Sequence, residues 1–199
     1  MVMTMVNRLA RWFEIVLEFI AGFLIVALTA VVLYGVFWRY LGGASPRWYD
    51  EVAAILLAWL TYYAAALAAL KRGHIGMDSA LMALPRKARL ALAVVAELVV
   101  IAFFIVLAWT GMVVLNALDG MTLISLTWVP LQFTQSVIPV GAVLFIVAEL
   151  LSMPGYFALV NAGVSVEQAH LEKTVAEVEK AIEAEGAGAH PARNNKAGA

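Results

Sequence analysis

Four long apolar stretches organise the chain. Phe19–Trp38 runs 20 residues without an Asp, Glu, Lys or Arg, Val52–Leu70 runs 19, Leu98–Leu118 runs 21 and Gly120–Ala148 runs 29. About 20 apolar residues, each rising 1.5 Å along a helix, cross the roughly 30 Å hydrocarbon layer of a bilayer. The pattern predicts an all-α integral membrane protein with four transmembrane helices, over about 15–38, 46–72, 90–118 and 129–152. These form one transmembrane domain, 1–157, followed by a tail, 158–199. In the tail, Ser165-Val-Glu-Gln168 has the form of a capping box, and Leu171, Val175, Val178 and Ile182 share one helical stripe. An amphipathic helix over about 165–185 is expected, with a disordered Gly/Ala-rich end beyond it.

Several helix ends are also legible. Ser45-Pro46 reads as an N-cap followed by proline at the first helical position, with Asp50 and Glu51 near the first turn. Gly73 reads as the left-handed cap after Lys71-Arg72. A helix of that length, about 40 Å, must tilt or protrude. Ile75, Leu81 and Leu84, before Pro85, suggest a piece lying at the membrane interface. In the fourth span Gln132, Thr134, Gln135 and Ser136 make one half polar, and a kink is expected at Pro139. Arg8 and Arg11 before an apolar run resemble a signal peptide. That run is too long, however, and it ends in Tyr34, Phe37, Trp38 and Arg39 rather than small residues, so it reads as an uncleaved first span.

Charge sets the expected orientation. Of 13 Lys and Arg, only Arg39 and Arg47 lie in the first loop and none in the third; the rest lie in the N-terminal stretch, the second loop and the tail. The positive-inside rule then puts both termini in the cytoplasm. Trp38, Tyr40, Trp48, Tyr49 and Trp128 fall at the outer boundary, and Trp12, Phe13, Tyr156 and Phe157 at the inner one.

Composition narrows the function. The chain is 64% hydrophobic and 14% charged, against about 25% charged in soluble domains. A net charge of −1 offers no basic field for nucleic acid. With no cysteine and only His74, His170 and His190, neither a metal nor a haem site is expected. No hydrolase motif and no phosphate-binding glycine loop is present, so no catalytic residue, no cofactor and no enzymatic activity is expected.

What remains is a set of ionisable and aromatic residues near the spans. Glu14, Glu18, Glu97 and Glu149 all lie on the side of the basic second loop. They read as partners for Lys71, Arg72, Arg86, Lys87 or Arg89, or as a proton or cation relay with Glu97, the deepest, as its intramembrane acid. No charge lies at the midplane of the first, second or fourth span, where transporters place their substrate sites. In the second span, Ala54/Ala58, Ala64/Ala68 and Ala65/Ala69 permit close helix approach. Trp59, Tyr62 and Tyr63 sit mid-span, facing either sister helices or a second membrane protein.

Arg39-Tyr40-Leu41, Trp48, Asp50-Glu51, Trp59-Leu60 and Lys71-Arg72-Gly73-His74-Ile75 with Asp78 together resemble the small membrane subunit of the tripartite ATP-independent periplasmic (TRAP) transporters. Val129-Pro130 and Ile138-Pro139-Val140-Gly141 resemble that family's last span, and Tyr62-Tyr63-Ala64 departs from its usual small pair. The resemblance covers roughly Arg8 to Leu151. It implies a scaffold, in a bacterial inner membrane, for a large membrane subunit. That subunit takes up a small, carboxylate-bearing substrate on a sodium gradient, after a periplasmic binding protein delivers it in a transient encounter. Membrane lipids are the other partner. On this reading Arg39, Trp48 and Glu51 brace the outer end of the first hairpin, and Arg72, His74 and Asp78 its inner end. Arg39 is expected to pair with Asp50 or Glu51. The alternatives are a membrane anchor for another complex and a small autonomous carrier or channel.

Overall fold

The computed structural model describes residues 2–72 and 81–188. Its helices are α1 (Val2–Leu41), α2 (Tyr49–Leu70), α3 (Arg86–Ala117), α4 (Leu131–Gln135), α5 (Val137–Ala162) and α6 (Val166–Gly188). Four segments are long and apolar enough to cross a membrane: Arg8–Leu41, Tyr49–Leu70, Arg86–Ala117 and Leu131–Ala162. Among the described residues there is no strand, only an isolated bridge between Thr122 and Pro130. Gly73, His74, Ile75 and Asp78 lie outside the described residues, as does the end of the tail, 189–199.

The spans pack in the order α1, α2, α5, α3, with α5 touching both α2 and α3. Large apolar side chains of α1 and α3 face outward, as bilayer lipid or another membrane protein requires; Phe19, Phe23, Phe103 and Trp109 are all well exposed. Two glycines set how closely α5 is approached. A Cβ at Gly141 would lie 2.7 Å from the Tyr62 side chain of α2, and one at Gly111 of α3 would lie 2.9 Å from Pro139 Cδ. Where α5 meets α3, Phe145 stacks on Phe104 with centroids 3.7 Å apart, beside Ala69 and Ala148. Without a hydrophobic drive between helices in lipid, such contacts carry the association. Gly141→Ala should therefore push α2 and α5 apart and cost about 1 kcal/mol, measurable as a lower detergent melting temperature. An unchanged melt would mean the crossing is looser than the structure shows.

Several helix ends differ from expectation. The second helix starts at Tyr49, not Pro46: residues 46–48 form a turn, Tyr49 N bonds Pro46 O at 3.3 Å and Trp48 is the N-cap. At 22 residues it is about 33 Å long and matches the hydrocarbon layer without excess. Arg72 is left-handed, with φ 51°, while Gly73, the expected cap, lies outside the described residues. The fourth span breaks at Ser136 rather than at Pro139. A proline ring clashes with the carbonyl four residues back, here that of Gln135, and so acts upstream of itself. The polar residues there serve the break. Thr134 and Ser136 hydroxyls donate to Leu131 and Phe133 carbonyls, and Gln132 donates to Leu115 O on α3.

At its other end, α5 continues through Pro154 to Ala162, past the expected limit of 152. Gly163, at φ 81°, ends it: Val164 N reaches Leu159 O at 3.2 Å and Gly163 N reaches Val160 O at 3.3 Å, the paired bonds of a Schellman cap. The tail helix follows at once. Ser165 Oγ accepts from Gln168 N at 3.1 Å, while Gln168 Oε1 accepts from Ser165 N at 3.3 Å. Leu171, Val175, Val178 and Ile182 all lie exposed along it.

Candidate functional site

The second helix ends in two consecutive cations, and between them they reach all three other spans. Lys71 Nζ lies 3.2 Å from Glu14 and 2.5 Å from Glu18, one turn apart on α1. The hydrogen bond to Glu18 holds the Lys71 ammonium above the usual lysine range. This pair is half-exposed and contributes little by itself.

Arg72 turns the other way. Its left-handed backbone costs a non-glycine residue about 1–2 kcal/mol and directs the side chain between α3 and α5. Nη1 meets Glu97 Oε1 of α3 and, at 2.7 Å, Glu149 Oε1 of α5. Nη2 lies 3.5 Å from the backbone oxygen of Glu149, and the guanidinium sits 4.4 Å above the Tyr156 ring. The side chains are 17%, 8% and 7% exposed for Arg72, Glu97 and Glu149, so the three groups are largely out of water and depend on one another. Farther along, Arg86 donates through Nε and Nη2 to Asn161 Oδ1 at 2.8 and 2.6 Å, tying the start of α3 to the end of α5.

At the opposite end the brace is a carboxylate. Glu51, in the first turn of α2, accepts from Ile124 N at 3.1 Å, from Ser125 N at 2.9 Å and from the Ser125 hydroxyl. The expected partner differs: among the described residues no ion pair joins Arg39 to Asp50 or Glu51, and Arg39 and Asp50 are exposed. The 118–130 loop offers free backbone N–H groups that a carboxylate can accept from, whereas Arg39 can stay hydrated. Trp48 stacks on Tyr34 of α1, with centroids 5.6 Å apart. Glu51→Ala should free the loop, read as faster hydrogen exchange over residues 121–126; unchanged protection would mean the loop holds its own shape.

The mid-span aromatics turn inward to a large degree. Trp59 Nε1 donates to Thr134 O at 2.9 Å, a carbonyl beside the break in the fourth span. Its ring lies 5.4 Å from Phe133 and 6.4 Å from Tyr63, centroid to centroid. Tyr62 packs on Gly141. Two of the three side chains that offered a surface to a second protein thus pack on the chain's own fourth span. The outward face of α2 is instead made of Ala54, Leu57, Ala58, Thr61 and Ala64.

Sequence reasoning had no signal for Ser125, Asn161 or Tyr156 as partners, since each lies far along the chain from the charge it meets. His74 and Asp78 lie outside the described residues. Among the described residues no three His, Asp or Glu side chains gather as a metal ion needs. Chemically, the arrangement is a brace at both ends of a helix row.

No curated protein matches the chain. A model of the family described as "Tripartite ATP-independent periplasmic transporters, DctQ component" matches residues 28–154. The match starts later in α1 than the resemblance read from the sequence. It takes in Glu51, Trp59, Arg72, Glu97 and Glu149 and leaves out the tail helix. More than half of the chain is covered, and the protein therefore belongs to the DctQ-component family, the small permease subunits of TRAP transporters.

Proposed function

We propose that this multi-pass membrane subunit is a scaffold. It holds a large membrane subunit in a bacterial inner membrane while that subunit moves a small, carboxylate-bearing substrate inward on a sodium gradient. A periplasmic binding protein delivers the substrate and touches the assembly transiently. Both termini face the cytoplasm, with the Lys71–Arg72 end inside. Arg39, Trp48, Asp50 and Glu51 then serve the outer end, and Arg72, His74 and Asp78 the inner one. Tyr63 and the small-residue face of α2 meet the large subunit.

One observation supports this most. Glu97 and Glu149, the buried acidic side chains among the described residues, are committed to Arg72 of the same chain, while the outer faces of α1 and α3 are left apolar. A translocation path needs uncommitted polar groups near the midplane; a scaffold needs rigidity and lipid- or protein-compatible flanks. The expected result in proteoliposomes is sodium-dependent uptake only when the large subunit, the binding protein and this chain are all present. Uptake or conductance by this chain alone would overturn the reading and return Glu97 to the role of a relay. The chain has no cysteine, so single cysteines at Ala58 and Tyr63 should crosslink to the large subunit, and one at buried Ala66 should not.

A further inference from the structure

The Arg72 cluster has more negative charge than positive. Two carboxyl groups converge on the single nitrogen Nη1 of Arg72. Neither forms the two-pronged pair that lets one guanidinium balance one carboxylate fully. Glu97 Oε2 is sealed from solvent and finds no hydrogen-bond donor among the described residues, in a side chain only 8% exposed. An ionised carboxylate oxygen in that position is costly.

Among the described residues, the surrounding groups do not supply the missing charge. On the α1 side, Lys71 is taken by Glu14 and Glu18. On α3, the Arg89 guanidinium lies beside Gly163 and the Met82 sulfur. On α5, Tyr156 offers its ring face to Arg72. Two carboxylates that share one counter-ion resist joint ionisation, and a proton on one of them removes the excess charge. A metal cation would also have to displace Arg72. A proton needs no room.

We propose that Glu97 and Glu149 form a proton-binding site, holding one proton jointly at neutral pH and so making the trio with Arg72 electrically neutral. The proton belongs to the pair rather than to either residue. It makes the brace compatible with the apolar interior, and it is independent of whether the chain scaffolds a transporter.

The test is infrared spectroscopy of the full chain in lipid nanodiscs at neutral pH, in H2O and D2O, for the wild type, Glu97→Gln and Glu149→Gln. The expected wild-type spectrum contains the carbonyl stretch of a protonated carboxylic acid, shifted in D2O. Both variants should lose it, because the remaining glutamate then pairs one-to-one with Arg72 and stays ionised. A purely structural pair of carboxylates would show no such band. Its absence from the wild type, or its persistence in either variant, overturns the proposal. If one variant fails to fold, the other and the wild-type spectrum still decide.

Discussion

Arg72→Ala is expected to destabilise the protein by about 3–5 kcal/mol, the usual result of removing one partner from a buried ion pair. The loss does not come from the attraction alone. Glu97 and Glu149 would remain 8% and 7% exposed without their counter-ion, and α2 would lose its hold on both α3 and α5. Unfolding in mixed micelles of rising SDS content would measure it. Backbone strain can be separated from charge. Arg72→Gly relieves the left-handed conformation at φ 51°, so equal destabilisation by glycine and alanine would assign the effect to the lost guanidinium. Arg72→Lys should fall between, because an ammonium keeps the charge but not the planar contact with Tyr156. A stable Arg72→Ala protein would show that the cluster does not hold the helices together.

Trp59→Phe is expected to cost about 1–3 kcal/mol, although it keeps most of the ring. Beside the break at Ser136, Trp59 Nε1 donates to the Thr134 carbonyl at 2.9 Å and ties α2 to the fourth span. Water cannot replace it in the hydrocarbon layer. Thr134 itself is only 5% exposed. The same SDS titration applies, and Trp59→Ala should cost more because the contact with Phe133 is lost too. A phenylalanine variant as stable as the wild type would mean that the carbonyl finds another partner.

What the sequence made legible here was the part written in local pattern. The four uncharged runs locate the four spanning helices, and Ser165 with Gln168 marks the start of the tail helix to the residue. Prolines were harder to read. Pro46 lies in a turn, Pro139 acts three residues upstream of itself, and Pro154 lies inside a continuous helix. A proline restricts the backbone but does not by itself choose among these outcomes, which depend on neighbours that supply the missing hydrogen bond. The stop of α5 at Gly163 went unread in the sequence. For the charges, the membrane side was legible because a buried charge needs a partner, so acids and bases collect at one end. Which base meets which acid was not. Glu51 bonds residues 73 and 74 positions away, and nothing in local spacing encodes a separation of that kind.

The central claim is that this chain works as part of a larger membrane assembly, with no transport path of its own. The most direct test is to tag it, extract it in mild detergent and identify by mass spectrometry what co-purifies in stoichiometric amount. A large polytopic subunit of a TRAP transporter is the expected result. A monodisperse small protein with no partner, conducting or transporting when reconstituted alone, would contradict the account.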